Sequence, residues 1–243
     1  MGKKNKIFGN TLDYLVKRAE DELKKTNINL DSSTKSLKKK PITSRYVVKH
    51  IPPEIQEFVQ FFTKNEVWNV EGIFRKNSSV KDLKKAKKII EDEGSLNLDK
   101  YDKGDSILVS GLFKNFLAEI QGRIIPYKIY IKLKEAKTDA DLKEVLKELP
   151  INNYETLNYI NQFVLKINDH CETNYMNLSN LSIVIGPNLF ELTNDEMVNL
   201  NITVISSDIY KNILRIRKTE RDNAEVHINI IVLIYFNNYK KYI

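Results

Sequence analysis

Residues 70–79 of this 243-residue chain read VEGIFRKNSS and connect two stretches that have the apolar spacing of α-helices. Gly72 provides the backbone freedom that a tight turn needs. Ile73 and Phe74 are predicted to anchor the base of the loop in the core, and Arg75 follows them directly. The segment therefore predicts a cation at the tip of an anchored loop, an arrangement suited to neutralising charge on a partner molecule.

Apolar residues recur at helical spacing on both sides of this loop. The helix before it begins at Pro52-Pro53, because proline suits the first turn, and the helix after it is capped within residues 77–79 and ends at Gly94. Residues 7–15 form a short amphipathic stretch, and further helices are predicted over 105–121, 139–149, 154–169 and 177–185, with Asp105 and Asn177 as caps of the first and the last. Residues 193–223 are predicted to be mostly irregular, with one amphipathic piece at 209–216, and a final apolar helix follows. The sequence contains no strand-rich block and no repeat. It predicts an all-α fold, with one domain over residues 1–243 built as a bundle of about eight or nine helices.

Composition agrees with this fold class and narrows the function. Eight glycines and six prolines are few for this length, which favours long helices over turn-rich sheets. The single cysteine, Cys171, excludes an internal disulfide framework and suits a reducing compartment. The start of the sequence lacks the apolar core of a signal peptide, and no apolar run is long enough to span a bilayer, so we expect a cytoplasmic monomer. The formal charge of +7 favours a partner with an acidic surface.

Two basic segments have open interpretations. The first, SSTKSLKKKP at 32–41, belongs to an expected loop insertion around 24–49, which is either a solvated loop or a weak contact to acidic lipid headgroups that would recruit the protein to membranes. The second is a helix face after the 70–79 loop, which is either solvated or steers an acidic partner electrostatically. This face carries Lys81, Lys84, Lys85 and Lys88.

Helix geometry places Lys114 on the outward face of the helix predicted at 105–121. At 100° per residue, one half of the helix carries Leu108, Val109, Leu112, Phe113, Phe116 and Leu117. The other half carries Lys114 together with Ser110, Gly111, Ala118 and Gln121. Lys114 is therefore predicted to point away from the core, on a face of small residues that a partner could approach closely.

Three motifs, in order, resemble those of Rho GTPase-activating protein domains (RhoGAP domains). EGIFRKNSS at 71–79 resembles the arginine-finger loop of that family. ILVSGLFKNFLAEIQGRIIP at 107–126 is similar to its lysine-bearing helix, and MNLSNLSIVIGPNLF at 176–190 is similar to its helix ending in Gly-Pro-Asn-Leu. Both ends of the chain also match, so the resemblance covers nearly the whole sequence and implies an all-α bundle.

The resemblance implies an activator of a Rho-family small GTPase (Rho, Rac or Cdc42 type), rather than an enzyme with its own hydrolytic site. Arg75 would be the catalytic arginine finger supplied in trans, while the GTPase supplies GTP, magnesium and the glutamine that positions water. The protein would need no cofactor of its own. The GTPase-binding residues would be Lys114, Asn188, Ala118 and Lys76, and the residues that shape the finger loop would be Glu71, Gly72 and Phe74.

The sequence departs from the family pattern at one position that matters for activity. Ala118 stands where similar domains carry an arginine four residues after the lysine. Arg123, about a turn and a half further along, is expected to replace part of the lost charge. The alternative function is therefore a catalytically weak or inactive module that binds a small GTPase as an adaptor. A third reading is a basic adaptor on a membrane surface that uses residues 35–40.

Other chemistries find no support in the sequence. It contains no glycine-rich phosphate loop, so the chain is not expected to bind nucleotide alone. His50, His170 and His227 are scattered without the spacing of metal ligands. Basic residues are not interleaved with aromatic residues in the manner of nucleic-acid-binding proteins, so neither a metal site nor a nucleic-acid partner is expected.

Overall fold

The structure is a computed structural model that describes residues 6–30, 48–193, 196 and 200–240. Over these ranges the chain forms ten α-helices and a few short 3-10 turns, and its β-type pairing consists of two isolated bridges. The helices are α1 Leu12–Leu30, α2 Pro53–Lys64, α3 Val80–Glu93, α4 Ser106–Glu119, α5 Tyr127–Glu135, α6 Asp139–Lys147, α7 Ile151–Asn168, α8 Cys171–Asn174, α9 Leu178–Ile185 and α10 Leu200–Lys240. The predicted all-α bundle is confirmed. No helix in the described ranges is long and apolar enough to cross a bilayer.

An aromatic cluster forms the part of the core that lies under the 70–79 loop. The ring of Phe62 on α2 stacks on Phe163 of α7 with centroids 5.1 Å apart, and it lies 5.6 Å from Phe113 of α4. Phe74 from the loop adds its ring 5.4 Å from Phe62. Each such aromatic pair contributes about 0.5–1.5 kcal/mol beyond the burial of its area. The cluster therefore fixes the base of the loop against three helices at once.

Most predicted helix ends are observed with their physical cause. Ser79 caps α3 by accepting a hydrogen bond from the Asp82 amide at 3.1 Å, and Gly94 ends α3 in the left-handed region at φ +65°. Asn177 caps α9 by accepting from the Asn180 amide. Asp105 occupies the predicted N-cap position of α4, but its side chain makes no capping hydrogen bond to that helix. Its carboxylate accepts instead from the amide of Asp102 and completes the capping box of a short 3-10 turn at Lys103–Asp105.

The first helix is longer than the sequence predicted. The prediction stopped short because an ion pair interrupts the apolar stripe of the helix. Leu12, Leu15 and Val16 are buried, but one turn further the contact to α2 is made by Arg18 and Glu54. Burial raises the pKa of the Glu54 carboxyl, and the Arg18 guanidinium opposes that shift. A buried ionic contact leaves no apolar periodicity, so the helix was not recognised beyond residue 15.

The predicted insertion at 24–49 is corrected at its beginning, because α1 continues to Leu30. The basic stretch at 32–41 lies outside the described residues, and the insertion itself stays a prediction.

The prediction of an irregular stretch at 193–223 was also wrong. Residues 200–240 form the single helix α10, which packs against α9. Its buried hydrophobic residues, among those whose side chains are described, are Ile209, Tyr210, Ile213, Leu214 and Ile216. The remaining face of residues 203–223 is largely polar, which masked the helix in a residue-by-residue reading. The predicted packing of the C-terminal apolar segment falls on side chains outside those described.

Candidate functional site

The 70–79 loop is a tight turn with a buried base and an exposed tip. Ile73 and Phe74 are fully buried and Arg75 is exposed, as the sequence pattern predicted. The amides of Arg75 and Lys76 both donate to the Gly72 carbonyl, at 3.0 and 2.8 Å. Gly72 has φ +68°, and a Cβ there would lie 2.9 Å from Cγ of Lys76, so the turn requires glycine.

Phe74 holds an unusual backbone conformation at the centre of this turn. Its φ of +64° lies in the left-handed region, which costs a non-glycine residue about 1–2 kcal/mol. Its ring packs against Phe62, Phe113 and Phe163 in the aromatic cluster. Burial of the ring offsets the backbone cost, and the left-handed step directs Arg75 away from the core.

Lys114 on α4 fixes the same turn from the other side. Its Nζ donates to the Phe74 carbonyl at 2.6 Å, across 40 residues of sequence. The side chain is half-buried, and that burial lowers the pKa of its ammonium group. The sequence predicted that Lys114 points away from the core, and the structure adds that its ammonium is bonded to the loop. Its role in binding a GTPase stays a prediction.

The face of small residues on α4 is partly covered by α3. Ser110 is fully buried and its hydroxyl donates to the Ile107 carbonyl. A Cβ at Gly111 would lie 3.2 Å from Cδ1 of Leu83 on α3. At the far end of this contact, Lys87 of α3 binds Glu119 of α4. The small residues therefore serve helix packing along much of this face, which the periodicity did not reveal.

Asn174 joins the loop to the rest of the bundle, and sequence reasoning missed it. This fully buried residue donates through Nδ2 to the carbonyls of Trp68 and Ile167, at 2.7 and 2.8 Å. Its Oδ1 accepts from the Met176 amide at 2.7 Å, and its backbone carbonyl accepts from the Gly72 amide at 2.8 Å. Through its side chain and its backbone carbonyl, Asn174 thus ties the segment that leads into the loop to the end of α7. An isolated asparagine in a turn carries no signal of such a role in the sequence.

The two cations of the loop have different surroundings. The ammonium of Lys76 lies 3.1 Å from Glu71 Oε1, in a pair that is about half exposed and contributes little to stability. The Arg75 side chain makes no hydrogen bond or ion pair with the part of the chain that the structure describes. Pairing of Lys76 with Glu71 therefore leaves Arg75 as the cation that is available at the loop tip.

Asn188 and Ala118 are both associated with α4, the helix that carries Lys114. The 3-10 turn Gly186–Asn188 packs against α4. Asn188 caps the end of α9 by donating through Nδ2 to the Val184 carbonyl at 3.0 Å, and its Oδ1 has no hydrogen-bond partner among the described residues. Ala118 is partly exposed on α4. The structure thus brings the three sequence motifs together around one helix.

Arg123 reaches back toward the end of α4. Its Nη1 donates to the Leu117 carbonyl at 3.2 Å, so the guanidinium lies beside the residue that precedes Ala118. Burial lowers the pKa of Arg123, although Glu119 and Glu191 oppose that shift. Compensation by Arg123 for the absent family arginine stays a prediction. Within the described ranges, no group of three or more His, Cys, Asp or Glu side chains could hold a metal ion.

Comparison with known sequences shows the family of this chain. The RhoGAP domain family model matches residues 52–194, which is more than half of the chain. The chain therefore belongs to the RhoGAP domain family.

Curated relatives lie at low identity and are much longer proteins. Rho GTPase-activating protein gacEE of Dictyostelium discoideum is 26% identical over 215 residues, which cover 86% of this chain and 36% of that protein. Rho GTPase-activating protein 15 of Rattus norvegicus is 31% identical over 133 residues, covering 52% and 28%. Rho GTPase-activating protein 1 of Mus musculus is 26% identical over 145 residues, covering 57% and 32%. The chain thus spans about a third of the length of these relatives.

Solved structures support the fold. The crystal structure of human Rho GTPase activating protein 15 superposes with a TM-score of 0.66 at 22% identity, covering 87% of this chain and 90% of that one. The BH domain of GRAF, the GTPase regulator associated with focal adhesion kinase, superposes with a TM-score of 0.54 at 16% identity, covering 67% and 89%.

Proposed function

We propose that this domain stimulates GTP hydrolysis by a Rho-family small GTPase, with Arg75 inserted in trans as an arginine finger. The proposal rests on the contrast in solvent exposure among three consecutive residues of the loop. Ile73 and Phe74 are fully buried, and Arg75 beside them is exposed without a hydrogen-bond or ion-pair partner among the described residues. Membership of the RhoGAP domain family and the names of the relatives support a GTPase-activating function.

The chemistry of the loop tip fits this reaction. Negative charge develops on the γ-phosphate and the bridging oxygen during GTP hydrolysis, and a planar guanidinium can donate hydrogen bonds to both. An arginine finger contributes a factor of about 10³–10⁵ in rate, or roughly 4–7 kcal/mol of activation free energy. In this proposal the GTPase supplies the nucleotide, magnesium and the water-positioning glutamine, and this domain supplies the cation.

Preorganisation of the loop favours catalysis over simple binding. The turn is held by Lys114, by Asn174 and by the ring of Phe74, so little conformational freedom remains to be lost when Arg75 enters the partner. The alternative, a catalytically weak or inactive adaptor, rests on Ala118 in place of an arginine. Because Arg75 itself is present and exposed, we favour the catalytic function. Its rate stimulation would be lower to the extent that Ala118 leaves the finger loop less ordered.

Single-turnover hydrolysis tests the proposal. Rho, Rac and Cdc42 types and a Ras control are loaded with GTP and mixed with the parent protein, Arg75→Ala or Arg75→Lys. We expect stimulation of at least one Rho-family member by the parent and loss of most of it in both variants, because an ammonium cannot reproduce the planar fork of guanidinium. Lys134→Ala, an exposed lysine at the end of α5, serves as the matched control and should behave like the parent.

Two results would decide against the proposal. Stimulation by Arg75→Ala equal to that of the parent would remove the finger assignment. Binding of a GTP-loaded Rho-family member without any stimulation by the parent would favour the adaptor. Co-sedimentation with anionic liposomes tests the separate membrane reading of residues 35–40.

A further inference from the structure

Tyr175 is an exposed aromatic residue beside the loop that carries Arg75. It directly follows Asn174, whose carbonyl accepts the Gly72 amide at 2.8 Å. The Tyr175 side chain is 60% exposed and makes no hydrogen bond or ring contact with the described residues. An aromatic ring that the fold leaves in water so near a candidate site needs a reason other than core packing.

The backbone of Tyr175 gives a second indication. Its φ of +59° and ψ of +26° lie in the left-handed region, which disfavours a tyrosine and favours glycine or asparagine. Tyr175 closes the short helix α8, since its amide donates to the Cys171 carbonyl at 2.9 Å. Its own carbonyl accepts from Asn180 Nδ2 at 2.9 Å. All of these contacts are made by the backbone, so nothing in the described structure uses the tyrosine ring.

The backbone position of Tyr175 is nevertheless fixed by its neighbours. Asn174 is fully buried and held by Trp68, Ile167 and Met176, and the Asn180 bond holds the other side of Tyr175. A residue placed in an unfavourable conformation by a rigid surrounding is typical of functional positions. Exposed tyrosines on fixed backbone are also enriched among the residues that dominate protein–protein binding.

We infer that Tyr175 is a second direct contact to the GTP-loaded GTPase, presented beside Arg75 by the buried Asn174; this inference rests on the proposed function. Continuity with the finger loop identifies the occupant, because a GTPase that receives Arg75 must cover the surface one hydrogen bond away from Gly72. Tyr175 adds apolar contact area to the complex, and Arg75 acts on the nucleotide. The two residues therefore affect different kinetic quantities.

The backbone conformation allows an unusually clean experiment. Tyr175→Gly removes the ring and at the same time relieves the left-handed strain, so the variant should melt at or above the temperature of the parent. Its dissociation constant for a Rho-family GTPase loaded with a non-hydrolysable GTP analogue should rise at least about tenfold. The maximal single-turnover rate at saturating domain should change less than about threefold. Opposite changes of stability and affinity cannot be produced by misfolding.

Tyr14→Ala is the matched control. Tyr14 is 47% exposed on α1 and follows Asp13, which binds Asn152 at the start of α7. Asn174, which precedes Tyr175, binds Ile167 near the end of the same helix. The two contacts are roughly 22 Å apart along α7. Tyr14→Ala should leave the dissociation constant within about twofold of the parent.

The outcomes separate this inference from the proposed function. If the parent stimulates hydrolysis and Tyr175→Gly binds with parental affinity, the contact does not exist and only this inference fails. If Tyr175→Gly lowers the maximal rate and leaves affinity unchanged, the ring is not a binding contact, and the inference again fails. If the parent binds the GTPase without stimulating it, the proposed catalysis fails, and weaker binding by Tyr175→Gly would still support the contact.

Discussion

Replacement of Lys114 by methionine tests how the loop is held. Methionine keeps most of the side-chain volume and removes the ammonium that donates to the Phe74 carbonyl at 2.6 Å. A hydrogen bond to a charged group contributes about 1.5–3 kcal/mol. The left-handed conformation of Phe74 already costs about 1–2 kcal/mol. Loss of this bond should therefore reduce the stability of the ordered loop substantially.

The expected magnitude follows from these figures. A loss of about 1.5–3 kcal/mol shifts the balance between the ordered and disordered loop by a factor of roughly 10–150. If the ordered loop is the conformer that delivers Arg75, kcat/KM for GTPase stimulation should fall by up to the same factor. The fold should remain intact, because the aromatic cluster is untouched.

Two assays separate this role from a direct contact with the GTPase. Hydrogen exchange in the free domain reports the loop without any partner, and the amides of Gly72, Arg75 and Lys76 should exchange roughly 10–150 times faster in Lys114→Met. Single-turnover hydrolysis reports the consequence for activity. Lys87→Met, which removes the contact of another bonded lysine to Glu119, is the control and should leave loop exchange unchanged. Parental exchange of these amides in Lys114→Met would refute the positioning role, whatever happens to activity.

Two further predictions concern stability. Asn174→Ala should lower the free energy of unfolding by about 3 kcal/mol, because it removes three side-chain hydrogen bonds of about 1 kcal/mol each; denaturation that matches the parent would show that the turn is held in another way. Arg18→Met should cost about 3–5 kcal/mol by leaving the buried Glu54 unpaired, whereas Arg18→Met/Glu54→Leu should recover most of that loss. A double variant as unstable as the single one in urea would mean that the ion pair itself, rather than burial of a lone charge, stabilises the contact between α1 and α2.

Helical periodicity by itself predicted the fold class and much of the core. The all-α bundle, the burial of Ile73 and Phe74 and the exposure of Arg75 were all predicted from residue type and order. Caps at Ser79 and Asn177 were also predictable, because a capping side chain acts on an amide three residues away. Such interactions are local, so they leave a local pattern.

Only the tertiary structure decided how the candidate site is held. Lys114 and the Phe74 carbonyl are 40 residues apart, and Asn174 and the Trp68 carbonyl are 106 residues apart. A hydrogen bond to a distant backbone carbonyl requires no particular residue at the accepting position, so it leaves no mark in the acceptor's sequence. The same reason explains why α1 was cut short at the Arg18–Glu54 contact, since a pair of charges buried across two helices reads as two surface residues until the helices are packed.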